Sequence, residues 1–302
     1  MRLSQIRDFI SIVEAGSIRA AARKRAVSQP TMTKSIRSLE EELRVRLVQR
    51  TAHGVVPTPS GRAFLVRARA VQAELRKADE ELAQLAGGDA GTVAFGVSAA
   101  AMLLIPDALS QFRRDHPVAY VRIIEGAPHA LLPFLRDETL DFFMGPRAAG
   151  PVDPQIKSRP LFRLPLIVAG RRGHPLRRAR SLRELADAPW LLFSASGWPG
   201  AMLEQAFTAA GLPRPQSMIQ CESYATAISL LGRTDTLGLL PPQQLADAVT
   251  RGLLQEIAVN DPIPPVAFAM FTRADTPLTA VATSMVRAIT TTARRLASSR
   301  RA

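Results

Sequence analysis

The chain has 302 residues, a formal net charge of +13 and 47% hydrophobic residues. This length allows two or three domains with cores of their own, and charge, Gly or Pro interrupts every apolar run before the roughly 18 residues that a membrane span needs. A single cysteine, Cys221, excludes an intrachain disulfide, and the four histidines lack metal-site spacing. Because the N-terminus does not have the pattern of a secretory signal, we expect a cytoplasmic protein. We also expect neither a metal ion nor a cofactor.

Positive charge is concentrated near the N-terminus. Between Ser17 and Ala70, twelve Lys and Arg residues stand against three Glu residues. Such an excess favours a polyanion through counterion release. No apolar face accompanies the charge, so nucleic acid is a better partner than a membrane surface.

The N-terminal segment predicts three short helices. An apolar stripe runs over Ser4–Ala15 and stops at Gly16, and Ser17 then caps a second helix to about Arg25. Ser28 caps a third helix, whose core face carries Met32, Ile36, Leu39 and Leu43. Two short capped helices with a tight turn between them are typical of a helix-turn-helix.

The opposite face of the third helix is polar and basic, as in a recognition helix that enters the major groove. A solvated helix face would have the same composition, but the context favours DNA. A strand at Val55–Thr58 after Gly54 predicts a wing beside the minor groove or the DNA backbone. The expected DNA-binding residues are Ser17, Ser28, Gln29, Pro30, Thr31, Thr33, Lys34, Arg37, Arg50 and His53.

The segment 21–61, AARKRAVSQPTMTKSIRSLEEELRVRLVQRTAHGVVPTPSG, resembles the DNA-binding domain of LysR-type transcriptional regulators. The shared positions include Ser17, Ala20, Ala21, Ser28, Gln29, Pro30, Ile36, Leu39, Glu40, Leu43, Leu47, Arg50, Thr51, Thr58 and Gly61. Two positions depart from the family pattern: Arg44 replaces a usual Gly and Val48 a usual Phe. We therefore expect a repacked and more basic wing junction.

A heptad pattern follows over Pro59–Gly87, with Phe64, Ala68, Val71, Leu75, Ala78, Leu82 and Leu85 on one seam. The pattern predicts a long helix that pairs with its copy, although a helix packed on its own domain is the alternative. The resemblance also implies a homodimer through this linker helix, commonly assembled into a homotetramer, with RNA polymerase as a further partner.

After the glycine-rich stretch 87–91, strands and helices alternate, as in an α/β domain. The predicted strands are 92–97, 119–124, 140–144, 190–193, 218–221, 237–240 and 266–271, and a helix is predicted over 102–115. Two similar units with crossings near Leu161 and Pro265 resemble the periplasmic-binding-protein-like effector domain of the family. The predicted organisation is a winged helix-turn-helix (1–60), a linker helix (61–88) and two lobes (91–161 with 267–302, and 162–266).

Strand-to-helix turns supply the expected effector site. Ser98, Ala99 and Ala100 end one strand, and a second turn carries Ser194, Ser196 and Trp198. The family resemblance adds Gly145, Pro146, Glu222 and Ser223. Because neither serine-bearing turn has a basic residue, an anionic effector would be held by amides, hydroxyls and helix dipoles. Each serine could instead be a simple helix cap. Similarity of two stretches to a family member that controls aromatic sulfonate degradation implies an aromatic acid.

Two other functions fit parts of the sequence. The turn Gly96–Ala100 resembles a nucleophile elbow with Ala in place of the last Gly, which would make Ser98 a hydrolase nucleophile. No histidine follows His174, however, so the expected order of Asp and then His has no convincing histidine, and an elbow this early in the α/β domain lacks preceding strands. We therefore expect no enzymatic activity. A ligand-free architectural DNA binder is the second alternative, which leaves the two lobes unexplained.

Overall fold

The computed structural model describes residues 1–51, 54–85, 91–147, 153–193, 201–246 and 250–298. The chain divides into two compact units, one of Met1–Gly88 with Arg136–Thr139 and one of Asp89–Leu135 with Leu140–Ala302. Within the described ranges, none of the helices combines the length and apolar character that a bilayer crossing requires, and no group of three or more potential metal ligands occurs.

The first unit is a helical bundle with a two-stranded wing. Its elements are α1 (Leu3–Ala15), α2 (Ile18–Lys24), α3 (Gln29–Leu43), β1 (Val48–Thr51), β2 (Gly54–Pro57) and α4 (Pro59–Leu85). The strands β1 and β2 pair antiparallel. The predicted helices and their core face are confirmed, because Met32, Ile36 and Leu39 are buried and Leu43 packs against the same core. We call the part from α1 to β2 the reading head.

A buried carboxylate joins the three helices of the reading head. Asp8 on α1 accepts a hydrogen bond from the Ser35 hydroxyl on α3 at 2.6 Å and one from Arg25 Nε after α2 at 3.4 Å. Charge-assisted hydrogen bonds are stronger than neutral ones. Asp8 therefore fixes the orientation of α3 relative to the other two helices.

The helix α4 has two parts with different surroundings. Phe64 and Ala68 pack into the reading-head core, with the Phe64 ring 5.3 Å from that of Phe9. Farther along, Val71 is 41% and Leu82 is 66% exposed. The prediction of one continuous seam is therefore wrong for Ala68, which the single chain buries, and for Phe64, which packs half-buried against the same core. The close approach of α4 to Leu47, just before the wing, also requires Gly61, because a Cβ there would collide with the Leu47 carbonyl oxygen.

The second unit contains two mixed sheets with flanking helices. Its strands are β3 (Thr92–Val97), β4 (Tyr120–Glu125), β5 (Phe142–Pro146), β6 (Ile156–Leu164), β7 (Ile167–Arg171), β8 (Trp190–Leu192), β9 (Met218–Gln220), β10 (Leu237–Leu240), β11 (Leu254–Ile257) and β12 (Val266–Arg273). Its α-helices are α5 (Ile105–Asp115), α6 (Pro128–Arg136), α7 (Ala201–Ala209), α8 (Tyr224–Arg233), α9 (Gln243–Ala246) and α10 (Ala280–Ser298). Short 3-10 helices occupy Ala99–Leu104 and Leu182–Leu185.

The two sheets define two lobes. Lobe 1 has the strand order β4-β3-β5-β12-β6, and lobe 2 has β11-β7-β10-β8-β9. In lobe 1 the helices α5 and α10 cover a core that includes stacked Phe95 and Phe142 rings. In lobe 2 the buried Trp190 ring meets Phe207 of α7 edge-on, and its indole N–H donates to the Leu185 carbonyl.

Several elements differ from the prediction. The strands β6, β7 and β11 and the helix α9 were not predicted, and a 3-10 helix stands where the 102–115 helix was expected to begin. The strand β6 stays in the lobe 1 sheet up to Leu164, three residues beyond the expected crossing at Leu161, and β12 begins at Val266. Pro160 obscures the strand pattern of β6, but an edge strand tolerates Pro because one side of its backbone needs no partner.

Candidate functional site

The N-terminal end of α3 presents the polar face of the reading head. Ser28 caps the helix by accepting a hydrogen bond from the Thr31 amide at 3.2 Å, and Pro30 occupies the first turn, where no intrahelical donor is needed. The Thr33 hydroxyl donates to the Gln29 carbonyl at 2.9 Å, so its methyl group points away from that bond. These local bonds fix the start of the helix without using the long side chains that follow.

The long basic side chains of this face are unengaged. Lys34 and Arg37 on α3 and Arg50 on β1 are exposed, and none of them forms an ion pair with a described residue. Gln29, Pro30 and Thr31 are exposed on the same end of the helix. Ser17 is the cap of α2 and accepts from the Ala20 amide at 3.4 Å, while His53 lies outside the described residues.

A second buried carboxylate connects α3 to the wing. Glu40 is 6% exposed, and one of its oxygens accepts from the amides of Leu47 at 2.8 Å and Val48 at 3.1 Å. Its other oxygen accepts from Arg46 at 3.1 Å. The start of β1 is therefore held against the last turns of α3, and this is a positioning contact that the sequence did not reveal.

The family departure at Arg44 falls at the end of α3. Arg44 has φ 55° and ψ 32°, the left-handed conformation that Gly adopts without steric cost. The backbone thus keeps the left-handed turn that a glycine would make. Val48, the second departure, is half-buried at the edge of the reading-head core.

The second candidate site lies where strands of the two lobes end. In lobe 1, β3 runs parallel to β4 and β5, and in lobe 2, β8 runs parallel to β9 and β10. Parallel strands bring their carboxyl ends to one edge of a sheet, where open α/β sheets bind ligands. Residues at or just after these six strand ends line a cavity of about 110 Å³, which we call the cleft.

The lining of the cleft is mainly apolar. Leu191, Leu192, Phe193, Met202 and Leu240 come from lobe 2, and Pro146, Val266 and Phe268 are among those from lobe 1. The polar side chains among the described lining residues are Ser98, Glu125, Glu222 and Gln244, and no Lys, Arg or His is among them. A few polar groups within an apolar wall are typical of small-molecule sites.

Two polar side chains of the cleft are buried without a partner. Ser98 is 7% exposed and Gln244 is 1% exposed. Neither the Ser98 Oγ nor the Gln244 Oε1 forms a hydrogen bond with any described residue. Ser98 therefore does not act as a side-chain cap for the 3-10 helix that follows it. Buried polar atoms in folded proteins are nearly always paired with protein, water or a ligand, so these two atoms are available to a molecule bound in the cleft.

The two carboxylates of the cleft connect the lobes. Glu125, at the end of β4 in lobe 1, accepts a hydrogen bond from the Tyr224 amide at the start of α8 in lobe 2 at 3.1 Å. Glu222 of lobe 2 lies 3.6 Å from His129 Nε2 of α6 in lobe 1. Both carboxylates are exposed at the mouth of the cleft.

The predicted effector residues fall into three groups. Ser98, Ala99, Ala100, Pro146 and Glu222 line the cleft. Gly145 lies beneath the wall, where an added Cβ would meet Pro128 at 2.8 Å, and Ser223 instead caps α8 by accepting from the Thr226 amide. The third group, Ser194, Ser196 and Trp198, lies outside the described residues.

Sequence reasoning missed Glu125 and Gln244. Glu125 stands at the end of a parallel strand, so the strand-end rule that selected Ser98 could have found it. Gln244 follows β10 within the run Pro241–Gln244, on a helix of only four residues that has no clear periodicity. Its place in the cleft comes from the lobe 2 topology.

Comparison with known proteins identifies both units. Residues 3–62 match the family model "Bacterial regulatory helix-turn-helix protein, lysR family", and residues 86–294 match "LysR substrate binding domain". The chain is 29% identical to the HTH-type transcriptional regulator GalR of Pseudomonas putida over 84% of this chain, but it spans only 64% of that relative's length. It is also 29% identical to the SDS degradation transcriptional activation protein of a Pseudomonas species, over 83% of each chain.

Solved structures share the fold at low identity. The LysR family regulator CbnR has a TM-score of 0.73 at 20% identity, covering 97% of this chain and 99% of its own. Full-length OxyR from Pseudomonas aeruginosa has a TM-score of 0.68 at 22% identity, covering 97% and 95%. Since the two family models together cover most of the sequence, the chain belongs to the LysR family of bacterial transcriptional regulators, with an N-terminal helix-turn-helix and a two-lobed α/β effector-binding domain.

Proposed function

We propose that this regulator binds operator DNA as a homo-oligomer through α3 and the wing, and that a small molecule in the cleft alters this binding. The observation that carries the proposal is the cleft itself. It joins the ends of six parallel strands and holds two buried polar atoms, on Ser98 and Gln244, that have no partner among the described residues.

The part of the proposal that concerns DNA binding rests on charge and geometry. Lys34 and Arg37 extend from one face of α3, and Arg50 extends from the wing, without ion pairs to described residues that would compete with phosphates. Phosphate contacts position a protein on the duplex, while side chains near the helix N-terminus read base edges. We assign Gln29, Pro30 and Thr33 to the base edges and Arg50 to the backbone.

The part of the proposal that concerns ligand binding rests on the energetics of the cleft. A buried polar group without a hydrogen bond costs about 1 to 3 kcal/mol, so a chain without a ligand would gain stability from apolar residues at these positions. A ligand that satisfies the Ser98 hydroxyl and the Gln244 side chain recovers this free energy in the bound state. Because the wall comes from both lobes, such a ligand favours one lobe arrangement over another.

The part of the proposal that concerns the homo-oligomer rests on α4. Val71 and Leu82 lie on the predicted seam and are exposed in the single chain. A second α4 packed along these residues would remove them from water and place two reading heads on two half-sites. One solved relative, CbnR, is described in complex with its target DNA, and this supports the proposed partner.

The surroundings of Ser98 argue against the enzyme alternative. An activated serine nucleophile needs a general base within hydrogen-bond reach. The Ser98 hydroxyl contacts no base among the described residues, and His129, in the same lobe, faces Glu222. We therefore propose that Ser98 binds and does not react. An architectural DNA-binding protein without a ligand would not need the cleft.

The test uses the full-length protein and has two stages. Selection from random duplexes should enrich an interrupted palindrome, which then serves as the operator. A small-molecule screen by thermal unfolding should yield ligands that change operator affinity, since a ligand at about 100 times its dissociation constant adds about 2.7 kcal/mol to the free energy of unfolding.

A matched pair of variants locates the ligand. Ser98→Ala should abolish the response, whereas Ser158→Ala should retain it, because Ser158 also has a buried hydroxyl without a partner among described residues but lies outside the cleft. Sequence-selective DNA binding that no cleft ligand changes would favour the architectural alternative. Ester hydrolysis lost in Ser98→Ala alone would favour the enzyme.

A further inference from the structure

We propose that lobe 2 carries a second DNA-binding surface, which contacts the phosphate backbone of duplex DNA. We call it the arginine patch, and it consists of four exposed side chains in the connection between β7 and β8: Arg177, Arg178, Arg180 and Arg183. The inference rests on the proposed function, since the DNA is the duplex that carries the operator. It adds a contact in the effector-binding domain, where the sequence analysis placed none.

The patch is a local excess of positive charge. Residues 177–183 include four arginines and no acidic residue, and Glu184 and Asp187 follow. The side chains of the four arginines form neither an ion pair nor a hydrogen bond with any described residue. Arg171 in the same lobe is different, because its Nε donates to the Asp235 carboxylate at 2.7 Å. The charge of the patch is therefore available to an anionic partner.

The carboxylates next to the patch hold the backbone. Asp261 accepts a hydrogen bond from the Leu182 amide at 2.7 Å. Glu184 accepts from the Ser181 hydroxyl at 2.9 Å and from the Arg180 amide at 3.1 Å. These two hydrogen bonds lower the pKa of the Glu184 carboxyl. Both carboxylates thus fix the course of the chain and do not pair with the guanidinium groups.

The backbone of the patch is anchored to the core of lobe 2. Ala179 and Leu182 are buried in that core. Just before the patch, the His174 ring is also buried, where its Nδ1 accepts from the Leu176 amide at 3.0 Å and its Nε2 lies 3.1 Å from the Asp235 carbonyl oxygen. Because the backbone is already ordered, binding of a partner costs mainly the side-chain entropy of the arginines.

The composition of the patch favours a nucleic acid over a protein or a membrane. Its apolar side chains pack inward, so that none of the described residues 177–183 exposes a large apolar side chain. Protein interfaces are centred on buried aromatic or aliphatic anchors, and segments that bind membrane surfaces add an apolar face. A phosphate backbone needs only cations. Like charges held this close also repel each other, and a polyanion relieves that repulsion.

Operator binding makes DNA the polyanion that the patch meets. Because the reading head belongs to the same chain, a bound duplex has a high effective concentration at other surfaces of the protein. Contacts to phosphates carry no sequence information, so the patch adds affinity without changing which operator is selected. Each phosphate that an arginine neutralises changes the slope of log K against log salt concentration by about 0.9. Salt dependence is therefore the property that reveals the patch.

The experiment compares full-length variants on a duplex that carries the selected operator between long random flanks. The patch variant combines Arg177→Ala, Arg178→Ala and Arg180→Ala. The control variant removes three exposed arginines from different elements of the same unit, through Arg114→Ala, Arg163→Ala and Arg287→Ala. Since the three side chains of the patch variant contact no described residue, circular dichroism should show that it is folded like the parent.

The readout is fluorescence anisotropy between about 50 and 200 mM salt. In the patch variant we expect the salt slope to fall by about 2 to 3 units and the affinity at low salt to fall at least about tenfold. The control variant should change both quantities much less, although it loses the same charge. Equal behaviour of the two variants overturns the inference, while the selection of an operator still supports the proposed function.

The remaining outcomes separate the two proposals and the possible partners. If the parent binds all duplexes equally and the patch variant loses salt slope on them, the inference stands and sequence-specific regulation fails. Phosphatidylserine vesicles and polyglutamate serve as probes for a membrane and for an acidic protein. Binding to either probe that needs the patch, together with DNA binding that does not, overturns the inference and assigns the patch to that partner.

Discussion

The recognition face of α3 and the cleft differ in how far apart their residues lie in the chain. The polar face of α3 runs from Gln29 to Arg37, within one helix. The residues that line the cleft are spread along the chain from Ser98 to Phe268. They come together only when the three parallel strands of each lobe have formed. Caps and periodicity therefore encode the first surface locally, whereas topology alone encodes the second.

The two regions also differ in charge. The reading head has a cationic surface formed by Lys34, Arg37 and Arg50. None of these side chains forms an ion pair with a described carboxylate. The cleft presents Glu125 and Glu222 and an apolar wall. One chain thus carries a cationic surface suited to a polyanion and, in its other unit, a largely apolar cleft whose charged residues, among those described, are acidic. If the regions act separately, a change in one should leave the intrinsic property of the other intact.

The largest expected effect concerns pairing of two chains through α4, because operator binding by the reading head depends on it. Leu82→Glu places a charge on the exposed seam of α4, where two copies would face each other desolvated. We expect light scattering to show loss of the dimer, with operator affinity reduced about a hundredfold or more through lost bivalency. Leu253→Glu, at a leucine that is 47% exposed in the other unit, is the control. A Leu82→Glu dimer with full affinity would show that α4 does not pair.

The next effect concerns the contact that positions the wing. Glu40→Ala removes the acceptor for the Leu47 and Val48 amides, and we expect the free energy of unfolding of the reading head to fall by about 2 to 3 kcal/mol. Urea unfolding monitored by circular dichroism measures this change. Glu41→Ala, at an exposed carboxylate on the same helix, should change stability little. Equal effects of the two substitutions would contradict the role given to Glu40.

A third substitution separates the two regions directly. Arg37→Ala should weaken operator binding by about 1 to 3 kcal/mol and reduce the salt dependence of binding, because it removes one cationic contact. The affinity of a ligand that binds in the cleft should stay as in the parent protein. Arg114→Ala, at an exposed arginine of the other unit, controls for the loss of one charge. Unchanged operator affinity of Arg37→Ala at matched salt would move the recognition face elsewhere.

The smallest effect concerns the left-handed end of α3. Arg44→Gly should raise the free energy of unfolding by about 0.5 to 1 kcal/mol, because Gly adopts φ 55° without the steric cost of a side chain. Arg44→Ala keeps the Cβ and should give no such gain. A gain in Arg44→Ala as large as in Arg44→Gly would assign the effect to the lost charge instead.

The sequence predicted what local chemistry determines. Ser17 and Ser28 marked the helix starts, and the apolar period placed Met32, Ile36 and Leu39 in the core. The turn at Ser98 was found because a strand ends there. Gln244 was not found, since a four-residue helix has no period and only the return of β10 to the cleft makes it relevant. The hydrogen bond between the Glu125 carboxylate and the Tyr224 amide was not found for the same reason, because it joins residues 99 positions apart in the chain.

The strand β6, which Pro160 concealed from sequence analysis, has a consequence for aggregation. It forms one outer edge of the lobe 1 sheet, and its exposed positions include Lys157, Arg159, Pro160 and Arg163. Proline offers no amide to a new strand, and a row of cations repels an identical edge. The other outer edge, β4, exposes Tyr120 by 64% and Ile123 by 41%. Sheet extension between copies is therefore disfavoured at β6, and β4 is the more apolar of the two exposed edges of this lobe.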